Sequence, residues 1–244
     1  MISANLEDIR RRIELACKPE GNGLASHSQS HKKAGRVPEE IALVAVTKGR
    51  SLEEIKEVIN RGISDIGENR IQEALPKYNE IRDTNYGRRT RWHMIGHLQT
   101  NKVKEAVRLF DLIQSVDSLR LAEAISKEAG KINKQQDILL EVKTSPEASK
   151  FGLKAEDTLA VFQKIAQLPH LNIKGLMTIA PFTDNPETSR PYFRTLRELS
   201  DKIDWRLETS PRGPILSMGM SNDFEVAIEE GSTMLRLGRA IFEG

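Results

Sequence analysis

The sequence predicts an α/β chain: a single (β/α)8 TIM barrel with an extra N-terminal helix. Three observations lead there. Eight apolar runs of strand length are spaced along residues 41–238, and each of the first seven is followed by a segment of helical periodicity. No linker-like stretch splits that array, so residues 1–244 read as one domain. The G-x-G-x-x-G turn that an open doubly wound sheet usually carries after its first strand is absent, which favours the closed barrel over that alternative.

The elements follow in order. From Asn5 to Cys17, Leu6, Ile9, Ile13 and Ala16 recur at helical spacing, and the Arg10–Arg11–Arg12 flank reads as a solvated face. Residues 18–37 are polar, Gly/Ser-rich and read as a mobile surface loop. His27 and His31 in it are not read as a metal pair, because the segment is not helical. IALVAVTK (41–48) is a nearly continuous apolar run, as in a parallel strand buried on both faces. Ser51 and Glu54 then form a capping box, Leu52, Ile55, Val58 and Ile59 a buried stripe, and Gly62 a stop.

The pattern repeats through strands at 65–69, 91–96, 112–117, 137–143, 172–180, 215–219 and 233–238. Helices are expected at 70–82, where Pro76 should introduce a kink, and at 98–110, 118–131, 155–167, 188–203 and 223–230. The leading helix should cover the barrel wall or its bottom.

Composition removes several function classes. There are 37 Lys and Arg against 35 Asp and Glu, so the basic excess of a nucleic-acid binder is missing. No run of ~18 apolar residues could span a bilayer, and the charged N-terminus lacks the apolar stretch of a secretory signal. The lone Cys17 excludes an intramolecular disulfide framework and a cysteine-clustered zinc site, and fits a reducing cytosol.

In a barrel, chemistry sits at the C-terminal ends of the strands. Lys48 closes the first strand. Apolar walls there would strip its ammonium of water and favour a neutral amine able to meet a carbonyl, unless the side chain simply reaches into solvent. The segment SMGMSNDFEVAIEEG runs from the seventh strand into a helix, with Asn222 and Glu225 spaced as a capping box. Gly219 would let a ligand approach the backbone, and the Ser217 and Ser221 hydroxyls could donate to it. RLGRA adds Gly238 between Arg236 and Arg239 at the end of the eighth strand. Loops after strands seven and eight bind phosphate in many barrels, although a capped helix with packing glycines has the same sequence features. An aldehyde-seeking lysine beside a phosphate cradle points to pyridoxal 5′-phosphate. A Schiff-base aldolase for a phosphorylated sugar is the reading without a cofactor.

The segments AVTKGR, GENRIQEA, WHMIGHLQTNK, GLMTIAP and LSMGMSNDFEVAIEEGSTMLRLGRAIF resemble, in order and spacing, the pyridoxal-phosphate homeostasis proteins, a family similar to the N-terminal barrel of alanine racemase. The match runs from about residue 38 to 242. The resemblance implies that Lys48 is the Schiff-base lysine and that Arg236 partners the pyridine nitrogen. By the same likeness Ser217, Gly238 and the backbone at Arg239 form the phosphate site with Gly219 and Ser221, while Asn69, His93 and Met177 surround the ring. Arg239 stands where many members have Thr or Ser, and Glu243 falls within the usual I-F-G ending.

The family implies a cytoplasmic monomer that balances vitamin B6 and amino-acid pools without robust turnover. Apo-enzymes would be its recipients, and neither nucleic acid nor membrane its partner. A pyridoxal-phosphate-dependent racemase is the alternative. Against it, Tyr78, Tyr86 and Tyr192 all fall in helices or loops, and no second domain is expected to supply a base. His93 and His97 are not expected to share a metal, Trp92 should pack under a helix, and Glu68 should be a buried, salt-bridged carboxylate.

Overall fold

The structure, a computed structural model, describes residues 1–18, 37–145, 151–205 and 213–243. Helix α1 (Ile2–Cys17) buries Leu6, Ile9, Ile13 and Cys17 on one side. The barrel strands are β1 (Ala42–Val46), β2 (Asp65–Glu68), β3 (Arg91–Met94), β4 (Leu112–Val116), β5 (Gln136–Lys143), β7 (Leu171–Met177), β8 (Ile215–Ser217) and β9 (Met234–Leu237). All pair in parallel, in the order β4-β3-β2-β1-β9-β8-β7-β5, and a β4–β5 pairing closes the ring. This is the expected (β/α)8 barrel rather than an open sheet. Loop 18–37 and its His27 and His31 lie almost wholly outside the described residues.

Between the strands run α2 (Leu52–Asn60), α3 (Ile71–Ile81), α4 (Val103–Leu109), α5 (Leu119–Lys131), α6 (Thr158–Ile165), α7 (Arg190–Ser200) and α8 (Phe224–Glu229). The capping box forms as read: Ser51 Oγ accepts from the Glu54 amide, and Glu54 accepts from the Ser51 amide at 2.8 Å. Ser51→Ala should therefore cost about 1 kcal/mol of stability in urea denaturation, while a loss below a few tenths would show the cap to be idle.

Several boundaries differ from expectation. The first strand ends at Val46, two residues before Lys48, and α3 runs through Pro76. The 98–110 helix starts as a short 3-10 turn at Thr100–Lys102. Two elements were not expected: a two-residue strand, β6 (Leu153–Lys154), beside β5, and a closing turn of helix, α9 (Arg239–Phe242).

Helix α1 lies on the wall over α8 and α9. Arg12 bridges to Glu225 at 2.5 Å and covers the Phe224 ring, and Asn5 donates to the Ile241 carbonyl. Arg10 reaches the Arg61 carbonyl and Arg11 pairs with Asp8. Trp92 is buried beneath α3, edge-on to Tyr78, as its alternation predicts. Among the described residues no helix is long and apolar enough to cross a membrane.

Candidate functional site at the barrel mouth

Alternation along a strand sends every second side chain into the barrel. Val44, Leu112, Leu139, Met177 and Met234 meet there as an apolar plug separate from the main core. Gly67 has no side chain because Val44 occupies its place: an added Cβ would lie 2.8 Å from Val44 Cγ1. Two residues further along three of these strands the inward face turns polar, with Gln114, Glu141 and Arg236, and Ser217 follows Ile215 in the same way, while β1 and β7 continue with Val46 and Ile179.

Arg236 is buried, and its Nη1 donates to Ser217 Oγ at 2.6 Å while Nη2 donates to the Thr178 carbonyl at 2.8 Å. Burial brings it down to about 10, against the opposing pull of the Glu141 and Asp223 carboxylates, so it stays cationic near neutral pH. Its remaining N–H groups make no hydrogen bond among the described residues. Ser217 is engaged within the barrel. Its single hydroxyl proton goes to Gln114 Oε1 at 2.6 Å, and its oxygen accepts from Arg236. His93 is likewise not at the mouth: it is fully buried, with Asp65 and Gln114 on its two ring nitrogens. Met177 belongs to the plug, beneath the mouth.

Lys48 is exposed, in the turn after β1, rather than desolvated by apolar walls. It lies two residues beyond Val46, the last residue of β1. The turn is held from outside the barrel: Lys77 Nζ donates to the Thr47 carbonyl at 2.6 Å and to Glu68 Oε1 at 2.7 Å, and Thr47 Oγ1 donates to the same Glu68 oxygen. Glu68 is thus the salt-bridged buried carboxylate expected, with Lys77 as its partner.

The loop after β8 is built differently from its sequence reading. The Asn222–Glu225 capping box does not form. Asp223, one residue along, caps the turn by accepting from the Met220 amide, Asn222 accepts from Arg239, and Glu225 turns to Arg12. Gly219 is required by packing. Its φ is +94°, and a Cβ would come within 2.6 Å of Ala227 Cβ on α8. Gly238 is the converse case. A Cβ there would sit 3.5 Å from Val46, an ordinary contact, so the protein itself does not demand the open backbone. Ser221 Oγ accepts from the Ala240 amide, which ties this loop to the start of α9 and leaves the hydroxyl proton available. Arg239 is exposed, hydrogen-bonded to Asn222 and lying over the Phe182 ring.

Asn69 is half-buried after β2, its backbone pressed against Gly96. It borders a groove of about 490 Å³ with Met94, His97 and Leu98. His97 pairs with Asp117 at 3.2 Å and stacks on Phe151, apart from His93. No group of three or more potential metal ligands clusters among the described residues.

Sequence reasoning missed Gln114 and Glu141. Both are polar residues within buried stretches of their strands, and that contradiction is a readable signal. Glu141 makes no hydrogen bond among the described residues. Burial and then the Asp117 charge raise its carboxyl to about 7, against the pull of Arg236. Between the ordinary value of 4.5 and 7 the folded chain keeps a proton that the unfolded chain has lost. Stability should therefore fall as pH rises through that window and stay lower above it. Glu141→Gln should remove this slope, gaining on the order of 3 kcal/mol over the wild type at pH 8 relative to pH 4 in urea denaturation. Parallel stability–pH curves for the two proteins would contradict the placement of this carboxyl.

Comparison with known proteins gives a consistent set. The model of the alanine racemase N-terminal domain family matches residues 30–244. The pyridoxal phosphate homeostasis protein of Aquifex aeolicus is 43% identical over 227 residues, which are 93% of this chain and 97% of that one. Its namesake in Escherichia coli is 32% identical over 241 residues, 99% of this chain and 95% of that one. Among solved structures, PipY of Synechococcus elongatus with PLP bound superposes with a TM-score of 0.79 at 31% identity, covering 99% of this chain and 100% of that one. Alanine racemase of Clostridium difficile shares the fold alone, with a TM-score of 0.70 at 15% identity over 98% of this chain and 56% of that one.

Proposed function

Because this chain belongs to the pyridoxal phosphate homeostasis family, built on the alanine racemase N-terminal domain, we infer that it binds pyridoxal 5′-phosphate at the barrel mouth. It serves vitamin B6 and amino-acid balance by holding the cofactor rather than by turning over a substrate. One observation carries the reading: Lys48 stands in the turn two residues past β1, and β1 pairs in parallel with β9 so that Val44 lies beside the buried Arg236.

When bound, the cofactor supplies an aldehyde that condenses with a primary amine, together with a ring nitrogen and a phosphate. The residues fit each part. Lys48 offers the amine from a turn braced by Lys77 and Glu68. Arg236 has N–H groups to spare and no acceptor, so it would donate to the ring nitrogen and hold it unprotonated. Gly238, the Arg239 backbone and the Ser221 hydroxyl suit the phosphate, with the Arg239 guanidinium close by. Asn69 directly follows β2, the neighbour of β1, and Met177 lies in the apolar plug that would sit beneath the cofactor. Ser217 and His93 act from below on Arg236, and Gly219 shapes the loop.

The non-catalytic part of the reading rests on Arg236, which disfavours the protonated ring that carbanion chemistry uses. It also rests on the tyrosines: Tyr78 and Tyr192 stand on the outer helices α3 and α7, and Tyr86 meets Asn60. One observation favours a racemase instead, since Glu141 is a carboxyl titrating near neutral pH at the mouth. Deuterium exchange at the α-carbon of amino acids, followed by chiral analysis, separates the two. The carrier reading predicts neither exchange nor racemised product at an enzyme-like rate, and either would overturn it. The reading extends to a cytosolic monomer that passes the cofactor to apo-enzymes.

A further inference from the structure

Five side chains inside the barrel form one hydrogen-bonded chain whose donors all point the same way. Arg236 Nη1 donates to Ser217 Oγ at 2.6 Å, and Ser217 Oγ donates to Gln114 Oε1 at 2.6 Å. Gln114 Nε2 donates to His93 Nδ1 at 2.8 Å, and His93 Nε2 donates to Asp65 Oδ1 at 2.9 Å.

The direction is forced at both ends. A guanidinium has only donors, and an ionised carboxylate has only acceptors. Burial works to raise the Asp65 carboxyl, but the hydrogen bond from His93, with Arg91 nearby, outweighs it and holds it below its ordinary value. In the middle, Gln114 Nε2 also approaches Met234 Sδ at 3.3 Å. A thioether sulfur has no proton to give, so it identifies that end of Gln114 as the amide nitrogen. His93 must then carry its proton on Nε2 and leave Nδ1 bare.

The chain also spans the barrel. Asp65 opens β2 at the N-terminal end with its side chain 17% exposed, whereas Arg236 lies 4% exposed near the mouth. Polar side chains buried this deeply would weaken the core unless every link were satisfied, and here every link is. Packing alone has no use for so long a polar thread, and its one cationic end is the group that faces the mouth.

We propose that Asp65, His93 and Gln114 are positioning residues: acting through Ser217, they fix the Arg236 guanidinium in the orientation that addresses the ring nitrogen of the cofactor, which none of the three touches. This rests on the cofactor reading above. Removing one link frees Ser217 to rotate and lets Arg236 relax toward Glu141.

The test compares two ligands, pyridoxal 5′-phosphate and its 1-deaza analogue, which has carbon in place of the ring nitrogen. Gln114→Leu should weaken binding of pyridoxal 5′-phosphate about tenfold, the worth of one buried polar link, and leave the deaza analogue within about twofold. His93→Leu should behave the same way. His93→Gln should restore binding, because a glutamine can donate to Asp65 and accept from Gln114. The cofactor-free protein gives a separate readout: long-range nitrogen–proton NMR should find the His93 ring proton on Nε2 and not on Nδ1.

Equal losses for both ligands, or a His93 protonated on Nδ1, would overturn the positioning role and leave the cofactor reading intact. Wild-type protein that binds neither ligand would overturn both. Should Gln114→Leu not fold, the His93→Leu and His93→Gln pair carries the same comparison.

Discussion

Lys48→Ala is expected to abolish the borohydride-stable mass that pyridoxal 5′-phosphate adds to the protein, while weaker, reversible binding survives. Lys48 is exposed at the mouth, and its removal leaves no buried partner unsatisfied. Folding stability should stay within about 0.5 kcal/mol of the wild type. The turn should also keep its shape, because its holding contacts run to Thr47 and not to Lys48. Lys77 and the Arg50 amide both reach the Thr47 carbonyl, and Thr47 itself reaches Glu68. Arg236 and the loops around Gly238 and Ser221 remain, so affinity should fall by roughly ten- to hundredfold, the worth of one charged contact, and not to zero. Equilibrium dialysis and intact mass after reduction measure the two effects. A reduced adduct of undiminished mass in Lys48→Ala would place the amine elsewhere, and complete loss of reversible binding would remove the phosphate assignment.

Arg236→Glu should be more damaging, because it acts on folding and on binding together. The substitution leaves the Ser217 oxygen and the Thr178 carbonyl without their donors and sets a new carboxyl near Glu141 and Asp223. Burial already raises the Asp223 and Glu141 carboxyls. A third carboxyl must either take a proton or remain an uncompensated buried charge, and losing the cation of such a cluster typically costs about 3–5 kcal/mol. Arg236→Met separates the two effects. It keeps much of the volume and adds no charge, so it should fold more stably than Arg236→Glu yet still bind pyridoxal 5′-phosphate weakly. Binding by Arg236→Met at wild-type affinity, with an unchanged absorption spectrum across pH, would exclude Arg236 as the partner of the ring nitrogen.

Most of the architecture was legible because each strand is a short apolar run and each helix a stripe of period 3.6. Ser51 with Glu54, Trp92 under α3 and the salt-bridged Glu68 were all read correctly from local pattern. The misreadings share a physical origin. IALVAVTK does not say where the last ladder bond falls, so Lys48 was placed on the strand when it belongs to the exposed turn beyond. Asn222 and Glu225 have capping-box spacing, but Asp223 lies between them and takes the loop amide instead. Gly219 looked open to a ligand, whereas tertiary packing against Ala227 explains it. Ser217 and His93 were assigned to the cofactor because they lie at strand ends. Their alternation with inward-facing neighbours pointed to the interior, where Gln114 was waiting as a polar residue on a wholly buried strand.

The central claim is that this barrel holds pyridoxal 5′-phosphate on Lys48 beside Arg236. Its most direct test is the absorption spectrum of purified protein supplied with the cofactor, before and after borohydride, with peptide mapping of the reduced product. The account predicts a visible chromophore that borohydride bleaches, with the added mass on Lys48. Protein that stays colourless, or a reduced adduct on another lysine, would contradict it.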